Sequence, residues 1–397
     1  MYRRGGAEAY MLDLSEILRS AGHEVAFFGM QHPENPPLQF EEHFPSEFDL
    51  DPAPQGMVNR AKVAGRMFWS TSARRGIAAV LREFRPDVVH LHNVYHHLSP
   101  SILRAISLSG APAVMTLHDY KLVCPTYQML DNGVVCDACV GGHFQQAVRR
   151  GCRNGSRAQS AVMAAELAVH TWAGAYGSVN RFICPSEFLA GQMRAGNVYP
   201  DRLRVVNNFC DASLVEAKTA PGGPVVYAGR LSAEKGIDIL ITAIGMLPDA
   251  TCVIAGEGPQ RAELEQLAAR CAPGRVTFVG RLPRDRVQTL LRSASVVSLP
   301  ARWHENQPMS VLEAFAAGVP VIASTLGGLP ELIMQNVTGL LVRPNDPPAL
   351  ADAIAALLAD PESAMAMGRA ARELVLEDFN STVHLARVME IYKEAGA

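Results

Sequence analysis

In the segment W-H-E-N-Q-P-M-S-V-L-E-A-F-A-A-G-V-P-V-I-A-S, residues 303–324, two carboxylates flank a stretch of backbone that should present free N–H groups. Glu305 falls in a loop and Glu313 about two turns into the helix that follows. Pro308 reads as the first helical residue, because its fixed φ suits a helix and its missing N–H is not needed there. Gly318 and Pro320 end that helix, and residues 319–323 read as a short buried strand. A helix start carries partial positive charge and suits a phosphate, while carboxylates bind hydroxyl groups. A nucleotide sugar asks for both. The plainer alternative is an ordinary βαβ crossover with two solvated glutamates.

A second set of polar residues follows another expected strand. In V-V-Y-A-G-R-L-S-A-E-K-G, residues 225–236, the strand runs into Gly229, and Arg230 and Lys235 lie on the loop and first helical turn beyond it. Cations at that place neutralise charge on a departing diphosphate; surface charges on a loop are the alternative. A-G-E-G-P, residues 255–259, is again a strand-to-helix turn, with Glu257 between its glycines. Arg261 stands where a dinucleotide fingerprint needs its third glycine, so the glycines read as sites of close backbone approach. His118-Asp119 follows the expected strand 113–117, and the helical pattern of Met11, Leu14, Ile17 and Leu18 opens on Gly5-Gly6. His90, His92, His96 and His97 cluster at another strand end, but no carboxylate stands near them to complete a metal site.

Cys124, Cys136, Cys139 and Cys152 form C-x11-C-x2-C-x12-C within a loop-like segment. This has the count and approximate spacing of a structural zinc site with four thiolates. Reduced thiols and disulfides are the other readings. A catalytic metal is not expected, because cationic side chains already fill that role. Arg149, Arg150, Arg153 and Arg157 then lead into an apolar helical pattern over 161–176. A basic cluster beside an apolar helix suits anionic lipid; a core helix with a solvated basic start is the other reading.

The elements that must position these groups alternate regularly. Strands are expected at 225–228, 251–255, 276–279, 296–299, 319–323 and 339–342, with helices such as 236–247 and 260–271 between them. That rhythm implies an α/β protein with a doubly wound parallel sheet. The first half repeats it less regularly, with strands near 24–28, 87–92, 113–117, 181–184 and 203–206, and with residues 33–55 as a surface loop. Two Rossmann-like domains would therefore face one another across a ligand cleft. The expected division is 1–207, a linker 208–223, a nucleotide-sugar domain 224–375, and a terminal helix 376–397 packing back on the first domain. A glycine pair opening a helix normally follows a strand, so the start reads as trimmed, with the first strand lacking.

The chain's 397 residues suit two domains. Its 48% apolar and 19% charged residues are those of a soluble globular protein. A net charge of -3 argues against a general nucleic-acid binder. No apolar run approaches the roughly 18 residues that span a bilayer. No signal peptide is visible, and eight cysteines then point to a reducing compartment, the cytoplasm. The N-x-S/T matches at Asn154, Asn336 and Asn380 read as chance.

Together, G-R-L-S-x-E-K-G, G-E-G-P, and E-x7-E followed by A-x-x-x-G-x-P-V-I-A resemble the retaining GT-B glycosyltransferases of family 4 in order and spacing. The resemblance covers nearly the whole chain and is most specific in the second half. It implies a metal-independent enzyme that moves a sugar from a nucleotide-diphosphate sugar to a glycan or a lipid-linked acceptor, and relatives of that kind work at the inner face of the membrane. Arg230 and Lys235 would hold the donor diphosphate, together with the Gly229 and Glu257 turns, and Glu313 the ribose hydroxyls. Glu305 would face the transferred sugar, with the backbone of Asn306, Gln307, Pro308 and Met309 beside its hydroxyls or the phosphate. Gly5-Gly6 matches the family's N-terminal glycine pair, which approaches donor phosphate or acceptor, and His118 its cleft-facing histidine. The rival readings are a GT-B epimerase or hydrolase of the nucleotide sugar, and an inactive module that only binds it.

Overall fold

The computed structural model describes residues 3, 5–47 and 56–397. The chain divides into two compact units. The first holds the residues up to Met129, with Cys136–Val206 and Leu385–Ala397; the second holds Leu130–Val135 and Asn207–His384.

Six strands lie in the chain before the second unit's main sheet. They are β1 (Val89–His92), β2 (Ala113–Thr116), β3 (Leu130–Asp131), β4 (Val134–Val135), β5 (Arg181–Cys184) and β6 (Leu203–Val205). The first unit's sheet runs β1-β2-β5-β6, all parallel, while β3 and β4 form a small antiparallel hairpin. β2 is buried at every position, and Phe182, Ile183 and Cys184 of β5 are buried too. Strands covered on both faces read as continuous apolar runs, and these do.

The strand expected at 24–28 is not formed. Among the described residues no strand pairs beside β1, which is the sheet's edge, and an extended segment becomes a strand only through a neighbour's hydrogen bonds. Phe28 instead packs edge-on against Phe44 at 5.4 Å and joins the core. The loop expected at 33–55 is irregular over 33–47 apart from a short turn at Glu41–His43; its residues 48–55 lie outside the described part.

The second unit contains β7 (Val225–Ala228), β8 (Cys252–Ala255), β9 (Val276–Gly280), β10 (Val296–Leu299), β11 (Val321–Ser324) and β12 (Gly339–Val342). They form one parallel sheet in the order β12-β11-β10-β7-β8-β9. From β7 the chain winds outward through β8 and β9, then returns to β7's other side for β10. The order therefore reverses between β7 and β10, and a doubly wound sheet binds its ligand at the carboxyl ends of such a pair.

Two expected boundaries shift. Residues 208–223 are no free linker: Cys210, Ala212 and Val215 are buried in the second unit's core, and the Cys210 N–H donates to the Phe379 carbonyl at 2.9 Å. The step expected at 375/376 falls inside the helix Pro361–Asp378. The chain breaks at Phe379 and Asn380 before the final helix Ser381–Ala395, whose residues from Leu385 belong to the first unit. There Glu394 pairs with Arg181 at 2.9 Å and Arg204 at 2.8 Å.

Candidate active site

The loops after β7 and β10 carry most of the residues singled out in the second half. Beyond β7 the chain passes Gly229 and the exposed Arg230, then makes a tight turn at Ala233–Lys235. Gly236 closes the turn at φ 68°, and a side chain there would run into the Pro300 carbonyl, so the turn lies directly on the end of β10. Beyond β10, Arg302 fixes the two loops together. Its guanidinium grips Asp238 at 2.8 and 2.5 Å and Asn345 at 2.7 Å, and the Arg302 backbone N–H donates to the Glu234 carbonyl.

This clamp brings Lys235 to Glu305. The Lys235 ammonium lies 2.6 Å from Glu305 Oε1 and 4.9 Å from the centre of the Trp303 ring. The Glu305 side chain is only 5% exposed and that of Lys235 24%. Glu305 is held from behind as well: Gly328 N–H donates to its carbonyl at 2.7 Å. Gly327, at φ 63°, permits an approach to that carbonyl that a side chain would block.

Pro308 stands one residue before its expected place, as the extended N-cap of the helix Met309–Ala316. No side chain caps that helix, so its first amides at Met309 and Ser310 are left to other partners. Glu313 is the helix's fifth residue, somewhat over one turn in, and lies half-buried on its flank. The Gln307 side chain is turned elsewhere: its carbonyl accepts the Asn208 N–H, while its own backbone carbonyl accepts Asn208 Nδ2 at 2.9 Å. Asn306 is half-buried. The G-E-G-P turn is zipped to the β7 loop by Gly229 N–H to the Ala255 carbonyl and Leu231 N–H to the Glu257 carbonyl, both 3.0 Å. The exposed Glu257 carboxylate pairs with Arg261. Arg230 makes no ion pair or hydrogen bond through its side chain among the described residues.

In the first unit, His118 and Asp119 follow β2 as expected, but His118 is joined by residues from other elements. His92, at the end of β1, shares a hydrogen bond with it, Nδ1 to Nε2 at 3.0 Å. The fully buried Tyr10, from the helix Gly6–Ser20, packs edge-on against the His118 ring at 5.3 Å and hydrogen-bonds Thr116. Gly5 is the extended N-cap of that helix and Gly6 its first residue, both exposed. His90 bridges Thr116 and Tyr392, each at 2.7 Å.

The His118 imidazole keeps an open edge, yet burial holds its pKa down at about 4. His92 is held well below the usual range by burial and then by the charges of His90 and His118. Both rings are therefore neutral near pH 7, suited to hydrogen bonding rather than to carrying charge. Burial pushes Asp119 up to about 6, against the opposing N–H and charge of Lys121. Beneath this loop Lys121 is fully buried, and its ammonium lies 2.6 Å from the equally buried Glu166. Burial pushes the Glu166 carboxyl up, but His170 and Lys121 outweigh it and hold the group at about 2.

The four cysteines expected as zinc ligands lie in one region of the first unit, with the thiols of Cys124, Cys136 and Cys152 all close enough to Cys139 to act on it. None of Cys124, Cys136, Cys139 and Cys152 is in a disulfide, and among the described residues no three His, Cys, Asp or Glu side chains are grouped to hold a metal ion. Cys139 packs with Phe144, Ala147, Ala164 and Leu167. Burial and then the thiols of Cys124, Cys152 and Cys136 push its pKa up to about 12, against the lowering Ala147 N–H, so with no metal bound the thiol is neutral near pH 7. Cys124 Sγ lies 3.4 Å from Thr126 Oγ1.

The sequence pattern of Glycosyltransferase Family 4 matches residues 4–214, and that of the group 1 glycosyl transferases matches residues 218–374. The chain belongs to glycosyltransferase family 4. It is 30% identical over 344 residues to the alpha-maltose-1-phosphate synthase of Mycolicibacterium smegmatis, covering 78% of this chain and 79% of that one. It is 35% identical over 202 residues to the glycogen synthase of Mycobacterium tuberculosis, where the match spans 49% of each chain, so about half the length of that relative is represented. Among solved structures, Anabaena HepE in complex with UDP-glucose superposes with a TM-score of 0.66 at 20% identity, over 98% of this chain and 96% of the other. The fold is thus that of the GT-B glycosyltransferases.

Within this family fold, several site residues carried no signal by themselves. Tyr10 is an ordinary core letter in sequence, His92 stands out only as one of a histidine cluster weighed for metal, and Arg302 and Asp238 lie 64 positions apart. Trp303 and Gly327-Gly328 were more accessible: the tryptophan sits two residues before Glu305, and a glycine pair directly after a buried strand marks close backbone approach.

Proposed function

We propose that the protein is a retaining, metal-independent glycosyltransferase that moves a sugar from a nucleotide-diphosphate sugar to a glycan or lipid-linked acceptor in the cytoplasm. The observation that carries this reading is the Lys235–Glu305 pair at the β7/β10 reversal, beside an uncapped helix start. A diphosphate arriving there meets a lysine already desolvated on one side and paired to a carboxylate it can exchange. As the bond from sugar to phosphate breaks, negative charge grows on the leaving diphosphate. Lys235, Arg230 and the amides at Met309 and Ser310 are the donors suited to that charge. Glu305, released from Lys235, is then free to accept hydrogen bonds from the transferred sugar, and Glu313 from the ribose. Alpha-maltose-1-phosphate synthase and glycogen synthase, by their names, make glycosidic products, and HepE was solved with UDP-glucose; a nucleotide-sugar donor for this chain accords with both.

In the first unit, the neutral His92–His118 pair offers hydrogen bonds to an acceptor hydroxyl without placing charge beside it. Gly5 and Gly6 offer exposed backbone at the start of the same helix that supplies Tyr10. Turnover of labelled nucleotide sugars with and without glycan acceptors tests the proposal. Transfer that requires an acceptor and keeps the anomeric configuration supports it. Acceptor-independent turnover would indicate a hydrolase or epimerase, and binding without turnover an inactive module.

A further inference from the structure

The helix Arg157–Trp172 of the first unit is apolar on two faces. Its inner side, with Met163, Ala164 and Leu167, lies in the core. Its outer side carries Ala158, Val162, Ala165, Val169 and Trp172, a stripe at alternating four- and three-residue steps, and every one of these is exposed. Trp172 is 90% exposed. A surface helix ordinarily turns polar residues outward; here the only acid, Glu166, points inward to Lys121. A second tryptophan lies at the same end. His170 Nε2 meets the Phe68 carbonyl at 3.0 Å, which brings the end of the helix Met57–Phe68 beside it. The next residue, Trp69, is 46% exposed, with the Arg74 guanidinium 5.7 Å from its ring centre.

Charge is segregated onto the same elements. The chain as a whole carries -3, yet residues 57–82 contain six lysines and arginines and no acid, and residues 138–165 contain four arginines and no acid. Arg149, Arg150 and Arg157 are exposed at or just before the start of the stripe, and Lys62 and Arg75 are exposed on the neighbouring elements. No described helix is long and apolar enough to cross a membrane.

We infer that this face rests on the surface of an anionic lipid bilayer. The stripe and the two tryptophans enter the headgroup region, and the arginines meet lipid phosphates. Alanine and valine present shallow relief with no pocket for an anchoring side chain, which suits a fluid interface better than a protein partner. The inference goes beyond the proposed transfer reaction and does not depend on it.

Sedimentation of the full chain with vesicles tests it. The protein should pellet with vesicles of equal parts phosphatidylcholine and phosphatidylglycerol, stay largely in solution with phosphatidylcholine alone, and be released by salt. Val169→Ser combined with Trp172→Ser should weaken binding to the anionic vesicles roughly tenfold or more, as should Arg149→Glu with Arg150→Glu. An unchanged circular dichroism spectrum and unchanged nucleotide-sugar binding would show that both units remain folded, so a failure here is distinct from a failure of the proposed activity. Brominated lipid should quench tryptophan fluorescence in the native chain and less in Trp172→Phe. The inference is overturned if the native chain stays in solution with anionic vesicles or binds both kinds equally. A concentration-dependent dimer abolished by Val169→Ser with Trp172→Ser would also overturn it, making this face an interface between two copies.

Discussion

The loops after the second unit's strands set charge against charge within reach of solvent, as with Lys235 and Glu305. The strand ends of the first unit set neutral rings against one another, as with Tyr10, His92 and His118. The first unit keeps its strong ion pair, Lys121 with Glu166, out of reach beneath the surface. An accessible ion pair can exchange partners with a charged ligand, whereas a neutral cluster can only offer hydrogen bonds and shape. Damage to the second unit's pair should therefore appear in turnover. Damage to the first unit's buried pair should appear in stability.

The sharpest way to break that contrast is Lys121→Met. Glu166 would be left buried without its cation, which should destabilise the protein by about 3–5 kcal/mol. Adding Glu166→Leu should recover much of the loss, because a buried pair replaced by apolar groups is often neutral. Chemical denaturation measures both. A Lys121→Met variant as stable as the native chain would show that the pair is not isolated from water.

Next in size is Lys235→Ala, which should cut turnover by roughly 100- to 1,000-fold, or about 2.7–4 kcal/mol. Arg230→Ala should act in the same direction, and Arg230→Lys should not fully restore the rate, because an ammonium lacks the planar fork. Full activity in Lys235→Ala would remove it from the diphosphate site. Glu313→Ala should instead weaken nucleotide binding by about 1.5–3 kcal/mol, the range of a hydrogen bond to a charged group, and lower turnover less. Isothermal titration with the nucleotide alone separates the two effects. A smaller loss, roughly tenfold in turnover or about 1.4 kcal/mol, is expected of Arg302→Ala, which touches no proposed ligand group but clamps the two loops. Recovery with Arg302→Lys should be partial, and nucleotide affinity should change little.

The same contrast governs what could be read in the sequence. The second unit's candidate residues come from contiguous runs, G-R-L-S-A-E-K-G and W-H-E-N-Q-P-M-S, each following its own strand, so periodicity and turn chemistry locate these loops in the fold. The errors are of a residue or so, as at Pro308 and Glu313, where the helix begins one position later than a proline at its first residue would have it. Gln307 is expected there for its backbone, but the partner of its side chain, Asn208, lies 99 residues earlier and no local pattern points to it. The first unit's cluster is assembled from the helix Gly6–Ser20, β1, the loop after β2 and the final helix, and no local pattern announces that Tyr10, His92, His118 and Tyr392 will meet. The strand expected at 24–28 failed for a related reason: alternation supplies a candidate, but only a paired neighbour makes it a strand. The packing of Cys139 and Cys152 with Phe144, Ala147, Ala164 and Leu167 is a tertiary fact that the spacing of the four cysteines does not contain.

The smallest effect lies in the pH dependence of stability, and here the first unit's neutral cluster makes a signed prediction. His118 titrates at about 4 in the folded protein, against roughly 6.5 unfolded. Between those values the unfolded chain binds the extra proton, so this residue's contribution is complete above about pH 6.5 and is lost as the pH falls toward 4. Asp119 works in the opposite sense. Its folded pKa is about 6 against roughly 3.9 unfolded, so its ionisation costs stability as the pH rises from about 4 to 6, and acidification relieves that cost. His118→Asn should therefore flatten the loss of stability on going from pH 6.5 to 4.5, by on the order of 1 kcal/mol once the open edge of the ring is discounted. Asp119→Asn, which removes the opposing relief, should steepen it. Thermal melts at a series of pH values across this window read both slopes. Two variants whose profiles ran parallel to that of the native chain would mean that these groups are solvated like ordinary surface residues, and the contrast between the first unit's neutral cluster and the second unit's ion pair would fall with them.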